Sequence, residues 1–462
     1  MRRLLIGMVT AVAVLLAGCS TRSDSNGATP EETGAAKASA SADSTSPDFG
    51  TLKDVCGEGD TKPGTAQGVT DKEVKVGVFT DMGFTKNTEM VDAAKAFTSW
   101  CNENGGLNGR KLVPVIHDAK LTEVRQGMQQ ACKEDFALVG GGAALDGLAA
   151  KDRLNCLLPT FSAQSSLAPA IGSDLQVMSA GPYSEHFQYA GFYNWLLNEK
   201  FPSSAQDVGI ISGDSPVTKT IAAQFKESIA ALGGKVSYSD LYPANGVSDW
   251  TPYATAIKNK KVKGLVFMGD FTSLAKLEQA LTSIGYAPDW IDSNSNSYND
   301  NFVKLAGSAL GTQHNYAELF ATHPLETGSD SAAIKQVKEL FEKYAPGKPV
   351  TYPALRAFSA WLLFTTSARD CEQLTRKCVY ENALKVTDWT AGGIQAPYDV
   401  SKQDTPSKCY TIVEATPEGW KPADFKPDNG PYRCDAPVVK YKGDYGKPAR
   451  LSDVGKSPAD LK

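Results

Sequence analysis

The chain has 462 residues, with 47 Lys and Arg against 52 Asp and Glu, a formal net charge of -5 and 42% hydrophobic residues. At ~150 residues per domain that length allows about three folded units, and the slight acidic balance lacks the cationic excess with which nucleic-acid binders neutralise phosphates. Only four residues are His, so histidine metal sites and histidine acid–base catalysis have little to work with, and no nucleic acid, metal or cofactor is expected.

Arg2 and Arg3 precede an apolar run from Leu4 to Ala17, too short to span a ~30 Å hydrocarbon core but suited to the apolar region of a signal peptide. The run ends Leu16-Ala17-Gly18-Cys19, which resembles the lipobox of bacterial lipoproteins and implies cleavage after residue 18 and lipidation of Cys19. The expected location is therefore the extracytoplasmic face of the cell membrane. Residues 19–67 are expected to be the lipidated Cys and a flexible linker, since Ser20 to Gly50 is mostly small, polar and acidic and offers too little apolar surface to order itself.

Of nine cysteines, eight remain after Cys19, an even set that in an oxidising compartment suggests disulfides. Proximity in sequence or on consecutive elements favours Cys101–Cys132, Cys371–Cys378 and Cys409–Cys434 and leaves Cys56–Cys156 as the remainder.

Hydrophobic periodicity then alternates between strand and helix. Strands are expected at 73–80, 111–116, 136–139, 157–161, 208–212, 235–241, 264–268 and 289–292. Helices are expected at 88–104, 121–134, 145–154, 185–198, 218–232, 250–259 and 274–285. Two further helical segments, 332–344 and 354–368, followed by 375–385, exceed what a second lobe needs, so part of them is expected to return to the first. The alternation predicts parallel sheets covered by helices on both faces.

Gly68-Val69-Thr70-Asp71-Lys72-Glu73-Val74-Lys75-Val76-Gly77 and Asn102-Glu103-Asn104-Gly105-Gly106-Leu107-Asn108-Gly109-Arg110-Lys111 resemble the N-terminal signature of type I periplasmic binding proteins, and within them the leucine/isoleucine/valine-binding receptors of ABC transporters. Thr390 to Ile394, leading to Tyr398-Asp399, resembles that family's late strand and turn. The resemblance implies an α/β fold of two Rossmann-like lobes joined by a three-segment hinge, with a small solute held between them. The lobes are then expected to be 68–182 with 317–388, and 183–316 with 389–437, followed by a tail at 438–462. It also implies ligand contacts from the loops after the third and fourth strands, here Gly141, Gly142, Ala143 and Ala144, then Ser162, Ala163, Gln164 and Ser165. The sequence departs from the family pattern in two respects: the first loop has no hydroxyl, and Gln164 stands where Thr is usual.

Independently, open α/β sheets hold ligands at the carboxyl ends of their strands. That selects Phe84 and Phe161 as cleft walls, with Phe271, and Asp214, Asp270 and Asn294 as polar candidates, either Asp being able to meet an ammonium group. Both aspartates also read as helix N-caps, and both lobe 1 phenylalanines as core. Backbone N–H groups beside the helix near Ala144 offer an anion site. No G-x-S-x-G elbow or H-E-x-x-H motif occurs, and His117, which with Asp118 could form an acid–base pair at a strand end, reads instead as a structural hydrogen-bonder. The expectation is a monomeric solute receptor, not an enzyme, serving an ABC permease; a tethered sensor signalling to a partner protein would look the same.

Overall fold

The computed structural model describes residues 46–59, 62, 66–243 and 246–462; the expected signal peptide and Cys19 lie outside them. In lobe 1 the chain runs β1 (Glu73–Thr80), α1 (Met82–Thr85), α2 (Glu89–Glu103), β2 (Lys111–Asp118), α3 (Val124–Glu134), β3 (Ala137–Val139), α4 (Ala150–Asn155), β4 (Thr160–Ser162) and β5 (Gln176–Met178). Lobe 2 follows with α5 (Ala190–Asn194), β6 (Val208–Gly213), α6 (Pro216–Ala231), β7 (Val236–Tyr242), α7 (Thr251–Asn259), β8 (Gly264–Met268), α8 (Phe271–Ser283), β9 (Trp290–Asp292), α9 (Asp300–Ala306) and β10 (Asn315–Glu318). The chain returns to lobe 1 for α10 (Ala332–Tyr344), α11 (Tyr352–Arg369) and α12 (Arg376–Ala383), and crosses again to add β11 (Ile412–Thr416) and β12 (Gly419–Pro422).

The first sheet has the order β2-β1-β3-β4-β5, with all its pairs parallel; the second has β12-β11-β10-β9-β8-β6-β7, with β11 and β12 antiparallel. Three segments thus pass between the sheets, after β5, after β10 and before β11. The sequence reading missed β5 and β10 to β12, which are short and carry no clear alternation. At 390–399 it expected a strand, and the structure has a 3-10 turn at Ala391–Gly393 with one bridge between Trp389 and Tyr398.

Local chemistry explains the elements that shape the cleft. In β1, Val74, Val76 and Val78 are buried while Glu73 and Lys75 face solvent. Helix α2 buries Ala93, Ala94, Phe97, Trp100 and Cys101. It stops because Gly105 and Gly106 take φ of 94° and 72° and the Gly106 N–H donates to the Cys101 carbonyl at 2.8 Å, a glycine-dependent helix end. Helix α11 is apolar around most of its circumference and buries Leu355 through Thr365, so it lies inside lobe 1 rather than on its surface. Phe97 and Trp361 stack at 5.6 Å between centroids where α2 meets α11.

The linker expectation needs correction at its end. Phe49, Val55 and Cys56 are fully buried in the lobe 1 core, and Gln336 of α10 bonds the Asp48 carbonyl and the Gly50 N–H, both at 2.9 Å. Burial of these apolar groups orders a segment whose polar composition had masked it. Two disulfide assignments are corrected with it: the bonds are Cys56–Cys101 and Cys132–Cys156, beside Cys371–Cys378 and Cys409–Cys434. Cys101 lies near the end of α2, under the docked N-terminal segment, whereas Cys132 on α3 faces α4 across the other side of the sheet, so nearness in sequence misled.

The C-terminal segment also bridges the lobes. On lobe 2, the Phe187 N–H donates to the Val439 carbonyl at 2.9 Å, and the Glu227 carboxylate accepts from the Gly443 N–H at 3.0 Å and the Tyr445 hydroxyl at 2.7 Å. On lobe 1, Asp174 pairs with Arg450 at 3.0 Å and accepts from the Leu451 N–H at 2.7 Å, while Leu451 and Leu461 pack against α4. Ending the chain at Gly446 is expected to cost about 3 kcal/mol or more, since each fully buried Leu contributes ~1.5–3 kcal/mol. Urea melts of the truncated and full chains check this, and equal midpoints would make the segment a passive tail.

Candidate functional site between the lobes

On lobe 1, the loops at the ends of β1, β3 and β4 are stitched together by the protein's own carboxylates. Asp81, buried just after β1, accepts from the Leu121 and Ala144 N–H groups, each at 2.7 Å. The Ala144 N–H, expected to face an anion, is therefore already taken. Asp146 accepts from the Ser165 hydroxyl at 2.7 Å and from the Ser166 and Leu167 N–H groups, both at 3.0 Å, and burial pushes its pKa up to about 6. Gly141 lies against the backbone of Phe79, where a Cβ would sit 2.5 Å from its nitrogen and oxygen, and the Gly142 N–H donates to the Phe79 carbonyl at 3.0 Å. Beneath this loop a space of about 50 Å³ opens to solvent, walled by Phe79, Met128, Leu138, Gly142, Ala143 and Gln164.

The predicted aromatic walls divide. Phe161 is core, meeting Phe364 of α11 at 5.4 Å with its ring edge-on, whereas Phe84 on α1 is 59% exposed. Ala163 contributes its carbonyl rather than its methyl: it accepts from Arg356 Nε at 2.7 Å.

On lobe 2 the predicted polar residues are largely engaged. Asp270 is the N-cap of α8, accepting from the Ser273 N–H at 2.9 Å. Asp214 pairs with Lys219 at 2.5 Å, and Ser215, not Asp214, caps α6. Asn294 accepts from the Asn296 N–H at 2.8 Å and donates to the Phe267 carbonyl at 3.0 Å. His117 is a buried structural hydrogen-bonder, its Nε2 2.6 Å from Asp135 Oδ2.

The charged groups that lie at the junction are ones the sequence reading did not single out. Arg356, in the first turns of α11, donates to the Ala163 and Gly181 carbonyls and to the Tyr352 hydroxyl, with its guanidinium carbon 5.1 Å from the centre of the Phe320 ring. It thereby ties the end of β4 to the first and second crossings. Asp292, ending β9, accepts from the Tyr193 hydroxyl and from the Asn294 N–H at 2.8 Å, and burial raises its pKa to about 6. Glu318, ending β10, is buried, and desolvation with the nearby Asp292 charge holds its carboxyl well above the usual range. A second space, about 20 Å³, lies where all three crossings meet, lined by Gly181, Tyr183, Gln188, Glu318, Phe320 and Gln395 among others. The signal for Arg356 was a single charge within an apolar helix; that for Glu318 was only its place at a strand end.

Two doubly covered α/β lobes, three crossings, and strand ends converging on one cleft define a type I periplasmic binding protein. Residues 73–420 match the model of the periplasmic binding protein family, and the chain belongs to that family. Among solved structures it is similar to a fatty acid ABC transporter substrate-binding protein from Thermomonospora curvata, with 17% identity and a TM-score of 0.65 over 83% of this chain and 96% of that one. It is also similar to the leucine-binding protein LivK from Thermotoga maritima, with 15% identity and a TM-score of 0.62 over 76% of this chain and 97% of that one. The branched-chain amino acid substrate-binding protein LivJ from Streptococcus pneumoniae, solved in complex with isoleucine, gives 17% and 0.61 over 80% of this chain and 100% of that one. No curated protein sequence matches the chain. Among the described residues no helix is long and apolar enough to cross a membrane.

Proposed function

We propose that this chain is the extracytoplasmic receptor of an ABC importer, held at the membrane by a lipid on Cys19 and closing its lobes on a small polar or amphipathic solute. The observation that carries the reading is the convergence of strand ends from both lobes on a junction where the three crossings meet, within a chain of the periplasmic binding family. Ligand contacts on both lobes favour the closed form, which the permease then selects from the open one. Amino acids and related solutes are the first class to try, since the similar structures include a leucine-binding protein and one in complex with isoleucine; fatty acids follow from the third. The residues offered for contact are Phe84, Gly141, Gly142, Ala143, Gln164, Asn294 and Asp270 from the strand ends, and Arg356 and Glu318 at the junction.

A thermal-shift screen of the oxidised chain lacking its first 45 residues against amino acids, short peptides, amides, fatty acids and aromatic acids tests the reading. Solute at ~100 times its dissociation constant adds about 2.7 kcal/mol, a shift of several degrees. Silence across the panel would favour a protein partner. Cys19→Ala is expected to release the full chain from the membrane fraction; retention there would refute the lipid anchor.

A further inference from the structure

We propose that the solute carries a positive charge with no balancing carboxylate, and that Glu318 is the residue that selects it. The inference rests on the receptor reading above and narrows its substrate class. Glu318 is 3% exposed, and its Oε2 has no hydrogen-bond partner. Across the same junction space, the Gln188 side-chain carbonyl is also buried without a partner. Two buried acceptors lining one space, neither with a hydrogen-bond partner, are a costly arrangement; the cost holds the Glu318 carboxyl toward its neutral form until a cation beside it favours the carboxylate. A group bearing several N–H donors and a positive charge satisfies both at once.

The acidic groups beside the space favour the same sign, against the positive charge of Arg356, whose own partners are all neutral. Asp292 stands beside Glu318 and is met only by neutral donors, the Tyr193 hydroxyl and the Asn294 N–H. Arg356 directs its bonds to the Ala163 and Gly181 carbonyls and the Tyr352 hydroxyl. Tyr183 and Tyr398 line the space as well, and aromatic faces attract cations; the Phe320 ring already meets Arg356. A carboxylate on the solute finds the opposite: the lobe 1 loops that would greet it have N–H groups already held by Asp81 and Asp146. The first loop offers Ala143 and Ala144 in place of a hydroxyl. At about 20 Å³, the space has room for about one water-sized group, so the cationic head that enters it is compact, an ammonium on a short chain. Because all three crossings line it, such a head contacts the elements about which the lobes move.

The test is calorimetric titration of the oxidised chain lacking its first 45 residues. The probes are butylamine, putrescine, agmatine and choline, set against butanol, butyrate and isoleucine. The amines or agmatine are expected to bind more tightly than the neutral, anionic and zwitterionic probes. Glu318→Gln, which keeps the shape and removes the charge, is expected to weaken that binding by about 10- to 100-fold, the usual range for a charged hydrogen bond, with its melting curve intact. Gln188→Met, on the opposing wall, should weaken it less and serves if Glu318→Gln does not fold. Preference for butyrate, isoleucine or butanol, or amine binding that survives Glu318→Gln unchanged, overturns the charge assignment and leaves the receptor reading standing. If no probe here and no solute in the wider panel binds, both readings fall.

Discussion

Replacing Cys56 and Cys101 together by Ala is expected to cost about 4 kcal/mol of stability. The bond closes a loop of 45 residues, for which loop-closure entropy in the unfolded chain gives that figure. It also fastens the segment carrying Phe49 and Val55 into the lobe 1 core, so the loss should expose residues 46–59 to proteolysis before the rest of the lobe. Urea melts of the double variant measure the first effect, and timed protease digestion the second. Peptide mapping without reductant is the companion check: a fragment joining Cys56 to Cys101 is expected, and one joining Cys101 to Cys132 would contradict the structure.

Asp292→Asn is expected to stabilise the protein at pH 7.5 and to change little at pH 4. Burial raises the native pKa of Asp292 from 3.8 to about 6, so the folded chain holds a proton that the unfolded chain gives up. The stability this proton confers is fully present below about pH 3.8 and is lost as pH rises through 6. A rise from 3.8 to about 6, at ~1.4 kcal/mol per pH decade, makes the ionised carboxylate cost up to about 3 kcal/mol at pH 7.5. Asn keeps the shape, and its amide can donate to the Tyr193 oxygen while its carbonyl accepts from Asn294. Denaturant melts at the two pH values measure the difference; a destabilised variant at pH 7.5 would show that the native carboxylate is better solvated than its burial implies. Asp146, raised to about 6 by the same cause, adds its own decline over that window, so the wild-type chain should lose stability steadily from pH 4 to pH 6.5.

The fold was legible because its elements are written locally. Valines alternating with charges mark β1, the apolar face of α2 ends at Gly105-Gly106, and a largely apolar run interrupted by Arg356 and Ser359 gives the buried α11. Each signal lies within about twenty residues and needs no knowledge of the rest of the chain. The missed strands are short, and β11 takes its place from pairing with β10, and β12 from pairing with β11, rather than from their own pattern. The docked N-terminal segment shows the same limit: Phe49 and Val55 look isolated in a polar stretch, and only α2, α10 and α11 supply the surface that buries them.

The site was legible in position but less so in chemistry. Strand ends located the cleft, yet Asp270 proves to be a cap, Phe161 core, and the Ala144 N–H a partner of Asp81. These assignments depend on which neighbour reaches a group first, and Asp81 and Ala144 are joined only because β1 and β3 are adjacent in the sheet. Arg356 comes from α11, a helix that follows β6 to β10 of lobe 2 in sequence, so its approach to Ala163 and Gly181 could not be read from spacing.

The central claim is that a small solute joins the two lobes. Small-angle X-ray scattering of the oxidised chain lacking its first 45 residues, with and without a saturating amount of the solute that stabilises it most, tests this directly. The account predicts a smaller radius of gyration with solute bound, because contacts from both lobes favour the closed form. An unchanged radius at saturation would contradict it, placing the solute on one lobe and leaving the crossings without a role in binding.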